Sequence, residues 1–166
     1  MTWRAGGIAG IVACVAALAW YLGSPLFIRT TANEAFPSPA AAGAPSAALS
    51  PCACSPALPV TIATGQLGYV DAIHNGTGHI LLLRTGDEVV LRFEDVAITN
   101  APDVHVYLSR ETGGRWTEAT SLYVGPLKAT NGSFNYPLTA RDVGAYASVV
   151  VWCRQFSVLV SWADLH

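Results

Sequence analysis

From Gly65 to His166 short apolar runs alternate with clusters of turn-forming residues, a rhythm that restricts this stretch to an antiparallel all-β unit. The runs that read as strands are 66–72, 78–84, 88–93, 104–109, 121–124, 133–137, 146–152 and 156–162. Between them stand His74-Asn75-Gly76-Thr77-Gly78, Thr85-Gly86-Asp87, Asn100-Ala101-Pro102-Asp103, Thr112-Gly113-Gly114 and Asn131-Gly132. These are turn signals because Asn and Gly tolerate positive φ and Pro presets the first turn position. No helical periodicity interrupts the series. An antiparallel β-sandwich of about eight strands is the expected fold, and roughly one hundred residues suffice for its single core.

The chain ahead of this unit is of a different kind. Residues 5–28 carry no charge, and 24 positions are enough to cross about 30 Å of hydrocarbon as a helix. Only 12% of the chain is charged, about half the roughly 25% usual in soluble proteins, which fits such a segment. Residues 1–29 are therefore expected to be a signal anchor making a single membrane pass, with the membrane itself as partner. The α-amino group and Arg4 favour a cytoplasmic N-terminus, which puts the C-terminal domain outside the cytoplasm, periplasmic or extracellular. The alternative is a cleaved signal peptide with Thr30-Thr31-Ala32 as cleavage site, and then a secreted domain. Nine basic residues against eleven acidic, with no Lys or Arg run, exclude a nucleic-acid partner.

Residues 30–64 are dominated by Ala, Pro and Ser, and Pro37, Pro39, Pro45, Pro51, Pro56 and Pro59 break any helical period. The expectation is a spacer biased toward extended polyproline II. It contains Cys52-Ala-Cys54, too sparse for a zinc site and strained as a ring, which leaves a redox pair or an intermolecular bridge.

Four cysteines, Cys14, Cys52, Cys54 and Cys153, divide among these segments, and only Cys153 lies in the β unit, so no disulfide framework staples it. Strand alternation gives Cys153 the face of Val149 and Val151, with Ser148, Val150 and Trp152 on the other. Two readings stand open for it: a small buried hydrophobe, or a redox group or ligand. Possible axial ligands besides it are His74, His79, His105 and His166, with no Met in this region. No Cys-x-x-Cys-His is present, which excludes c-type attachment, and no His follows Cys153 until residue 166, which disfavours a blue-copper site. Asp103 and His105, two apart, share a strand face and suit a hydrogen-bonded pair or half of a metal site. Hydrolase and phosphate-loop motifs are absent. Trp116, Trp152 and Trp162 read as core packing ahead of a sugar-binding platform.

Several short motifs in fixed order carry a resemblance. They are Gly65-Gln66-Leu67 with His74 and Gly78, Val90-Leu91-Arg92-Phe93-Glu94-Asp95, Ala101-Pro102-Asp103-Val104-His105-Val106-Tyr107-Leu108-Ser109, Val124-Gly125-Pro126-Leu127-Lys128-Ala129, and Tyr146-Ala147-Ser148-Val149-Val150-Val151-Trp152-Cys153. Over residues 65–165 the chain resembles the DM13 domain. The resemblance implies electron transfer in oxidative modification of cell-surface proteins, centred on a cysteine that is a free thiol or holds a group such as haem. By resemblance that cysteine is Cys153, the candidate catalytic residue. His105 and His74 are its candidate companions in cofactor binding, the metal is open, and the redox partner is a separate molecule. The reading from another class is a non-catalytic cell-surface adhesion or ligand-binding module.

Overall fold

Alternate residues along 104–109 and 148–153 are β-branched or large and apolar, so each run presents one oily face that must find another. They find it in a two-sheet sandwich. The computed structural model describes residues 2–27, 29–38, 58–138 and 143–166, with side chains in the leading helix given at 10–21 and 23. Helix α1 (Thr2–Phe27) leads, followed by β1 (Thr31–Asn33), β2 (Val60–Gln66), β3 (Gly76–Thr85), β4 (Glu88–Ile98) and β5 (Val104–Ser109). Strands β6 (Ser121–Pro126), β7 (Asn131–Leu138), β8 (Ser148–Cys153) and β9 (Val158–Asp164) complete the order. One sheet runs β1-β7-β4-β3-β2 and the other β6-β5-β8-β9. Every pairing is antiparallel except β1 with β7.

The core lies between the sheets. Ile80, Leu82, Leu91, Phe93 and Phe134 from the first meet Val106, Leu108, Val149, Val151 and Val160 from the second. Phe93 stacks on Phe134 at 5.0 Å between centroids and meets Tyr136 edge-on at 5.8 Å. Each such ring contributes about 2–3 kcal/mol through burial, which makes this cluster the thermal anchor of the sandwich.

Two expectations need correction. The 30–64 spacer is shorter than expected, because both of its ends are strands. Thr31–Asn33 pairs with Asn131–Ser133, and β2 begins at Val60. The cause is long-range hydrogen bonding. The Glu34 amide donates to the Ser133 carbonyl at 2.7 Å, Glu34 Oε2 accepts from the Asn135 amide at 2.8 Å, and Arg92 Nη1 donates to the Ala35 carbonyl at 3.2 Å. Gly132, at φ +102°, allows the approach; a Cβ there would collide with the Ala32 carbonyl. Cys52 and Cys54 lie outside the described residues.

The expected strand 66–72 is instead the end of β2 followed by a loop. Gly68 lies against the Trp162 ring, and Asp71 Oδ1 accepts from the amides of Ile73 and His74, closing a turn that strand geometry would forbid. Helix α1 is helical over 26 residues, as expected of the leading segment; among the described residues no helix is long and apolar enough to cross a membrane.

Candidate functional site

On β5 the alternation sends Val104, Val106 and Leu108 inward, leaving His105 and Tyr107 on the outer face of the four-stranded sheet. Register then selects their neighbours. His105 lies opposite Trp152 of β8, and Tyr107 opposite Tyr123 of β6. Trp116, from the connection between β5 and β6, folds over them. Its ring stands 4.4 Å from Tyr107 and 5.2 Å from Trp152, and Tyr107 and Tyr123 are 5.4 Å apart. Four oxidisable rings thus form one cluster on a sheet face, walling an open cavity of about 590 Å³ that also includes Glu118 and Arg154.

Arg154 follows Cys153 in sequence but turns to the outer face. Its Nε donates to Tyr107 Oη at 2.6 Å, and its guanidinium lies 4.6 Å from the Tyr123 centroid and 5.6 Å from that of Tyr107. The hydrogen bond to Tyr107 pushes the Arg154 pKa up from its ordinary value, so the cation is permanent.

His105 is engaged at both ring nitrogens. Nε2 lies 2.7 Å from Asp103 Oδ1 and Nδ1 lies 2.9 Å from Tyr123 Oη. A carboxylate only accepts, so Nε2–H donates to Asp103, and in the neutral ring Nδ1 then accepts from the Tyr123 hydroxyl. The pairing of Asp103 with His105 that their spacing implies is present. His105 is only 8% exposed, whereas Tyr123 is 46% exposed.

Cys153 is elsewhere. It points inward with Val149 and Val151, has no solvent exposure, and donates its S–H to the Pro102 carbonyl at 2.8 Å. His74 lies in the β2–β3 loop, its Nδ1 held 2.8 Å from Asp71 Oδ2. That contact, with two backbone amides, holds the Asp71 carboxyl down at about 2. Cys153, His105 and His74 therefore do not converge. Cys153 and His105 occupy opposite faces of one sheet, and Cys153 lines neither the 590 Å³ cavity nor the 260 Å³ cavity that includes Asp103 and His105. These residues do not fit the axial ligation of a haem. Among the described residues no group of three or more His, Cys, Asp or Glu could hold a metal ion.

Tyr107, Tyr123 and Arg154 are site residues that the sequence alone does not single out. The signal that points to them is the shared parity of His105 and Tyr107 on one strand, with Tyr123 in the next run across a hairpin.

No curated protein and no solved structure matches the chain. Residues 69–165, from the turn that carries His74 through β9, match the family described as Electron transfer DM13, and the chain belongs to that family.

Proposed function

We propose that this chain is an electron-transfer protein held at the outer side of a membrane by residues 1–29, and that electrons enter and leave through the aromatic face of the four-stranded sheet. One observation carries the reading. Trp152, Trp116, Tyr107 and Tyr123 form an unbroken run of ring contacts, each within 5.4 Å of the next, that lines an open cavity. Tyrosine and tryptophan are the side chains that lose a single electron most readily after thiolate, and ring-to-ring spacing of this size permits rapid transfer. Family membership supports the same function. The uncharged stretch 5–28 supports the anchor.

In this reading Cys153 contributes packing and a hydrogen bond to the Pro102 turn rather than an exposed thiol. Thiol exchange with a partner protein needs a sulfur that the partner can touch.

The test mixes full-length protein in detergent micelles with hexachloroiridate(IV), a one-electron oxidant that reacts without binding, and follows its loss of colour by stopped flow. Trp116→Leu combined with Trp152→Leu is expected to slow the reaction at least about tenfold, the effect of about 1.4 kcal/mol on the barrier. An unchanged rate in that variant, folded by circular dichroism, refutes the aromatic route. A second reading, a ligand-binding module, is favoured by the same cavity, where Arg154 beside Trp116 and Tyr123 suits a ring-bearing anion. Calorimetric titration with benzoate separates the two.

A further inference from the structure

We propose that Tyr123 is a reversible one-electron redox site whose phenolic proton passes to His105; this deepens, and rests on, the electron-transfer function proposed for the aromatic face. A phenol that loses an electron becomes a very strong acid, so its oxidation is fastest where a base waits within hydrogen-bond reach. Among the four clustered rings, Tyr123 has that base, with His105 Nδ1 at 2.9 Å. Tyr107 does not. Its oxygen accepts from the Arg154 guanidinium, which has no lone pair to take a proton.

The base is prepared for the task. Asp103 Oδ1 accepts from His105 Nε2 at 2.7 Å, which frees Nδ1 as the acceptor and places a negative charge beside the imidazolium that proton transfer creates. Asp103 holds this position at φ +56°, in the left-handed region that a residue with a Cβ adopts at some cost, and its carbonyl is bound by the Arg154 amide at 3.0 Å. Strain of that kind concentrates where a side chain must be aimed.

Arg154 adds selection. Its cation, 4.6 Å from the Tyr123 centroid, penalises positive charge on the ring and so disfavours a radical cation. Electron loss without proton loss is thereby suppressed, and the two become coupled. The accessible ring faces the partner while the base stays shielded, since Tyr123 is 46% exposed and His105 8%.

In the balanced step one electron leaves Tyr123 for a one-electron metal-centre acceptor in the partner, the O–H bond breaks, and an N–H bond forms at His105 Nδ1. The products are a neutral tyrosyl radical, an imidazolium paired with the Asp103 carboxylate, and the acceptor reduced by one electron. A one-electron donor reverses it, with the proton returning to oxygen.

The experiment oxidises full-length protein in detergent micelles with photogenerated tris(bipyridine)ruthenium(III) and traps the product by rapid freezing for electron paramagnetic resonance. The wild-type chain is expected to give a neutral tyrosyl signal that Tyr123→Phe abolishes. His105→Gln is expected to slow its formation by about a hundredfold, the size of a positioned base's contribution. Asp103→Asn, which suits the same backbone conformation, is expected to slow it less and to change its pH profile, with Glu118, Tyr107 and Arg154 as the other ionisable groups facing the site. Deuterium oxide should slow the wild type and leave His105→Gln indifferent. An undiminished tyrosyl signal in Tyr123→Phe overturns the proposal, as does an unchanged rate in a folded His105→Gln chain. Tryptophan radicals alone sink the tyrosine site but leave electron transfer through the aromatic face intact, whereas no aromatic radical at all removes both.

Discussion

Replacing Cys153 separates a packing role from a chemical one, and the structure sets the size of the effect. The side chain has no solvent exposure and lies with Val149 and Val151 in the shared core, its S–H donated to the Pro102 carbonyl. Cys153→Ala removes one methylene-sized group, about 0.8 kcal/mol of transfer free energy, and leaves a void worth about 0.5 kcal/mol. The unmade bond to Pro102 adds about 0.5–1 kcal/mol, for a total of about 2 kcal/mol. For a sandwich of this size that lowers Tm by about 8–16 °C. Cys153→Ser keeps a donor for Pro102 but desolvates a hydroxyl, at a cost of about 1–2 kcal/mol. Calorimetry on the full chain measures both. Iodoacetamide labelling, read peptide by peptide to distinguish Cys14, Cys52 and Cys54, should find Cys153 protected at least about a thousandfold relative to the unfolded chain. Electron-transfer rates per folded molecule should be unchanged in either variant. A Cys153→Ser chain with unaltered Tm and abolished electron transfer would refute this reasoning and return the chemistry to sulfur, as would rapid alkylation of the native thiol.

Phe93→Ala should destabilise by about 3–5 kcal/mol in guanidinium titrations, since it empties the stacked ring cluster with Phe134 and Tyr136. Gly132→Ala should cost about 1–3 kcal/mol through its φ of +102° and the collision with the Ala32 carbonyl. Hydrogen exchange should then show the amides of Glu34, Thr130 and Asn131 losing protection while the core amides keep theirs. Asp71, held at about 2 by its bonds to His74 and the Ile73 amide, has a pKa below its usual 3.8. Its contribution is thus full above about pH 4 and fades as the pH falls through about 2. Carbon-detected NMR should show the 67–75 loop loosening in that acid window, and Asp71→Asn should remove the transition.

The sandwich is legible in the sequence because its strands carry their own instructions. Alternation and the Asn-Ala-Pro-Asp turn alone bound Val104–Ser109, and the inward parity of Val149, Val151 and Cys153 follows from a period of two. Strand β1 is illegible for the opposite reason. Thr-Ala-Asn is too short to show a period, and its place is fixed by Ser133, Asn135 and Arg92, about sixty to a hundred positions away. The end of β2 is obscured because Asp71 and Gly68 override a β-prone run, one by capping His74 and the other by yielding room to Trp162. At the site, the Asp103–His105 pair depends on spacing within one strand and is visible. The link from His105 to Tyr123, and from Arg154 to Tyr107, depends on the register of three strands, which no local pattern states.

The docking of β1 changes how far the sandwich can roam. Only residues 28–30 separate the end of α1 from the start of β1, a reach of about 14 Å even when fully stretched. Under the anchor proposed above, the body would ride close to the lipid headgroups on a short leash, because the sandwich begins at β1 and not at residue 60. On that proposal, a molecule that trades electrons with the aromatic face would have to come to the bilayer, which would favour partners that are themselves membrane-bound over freely diffusing ones.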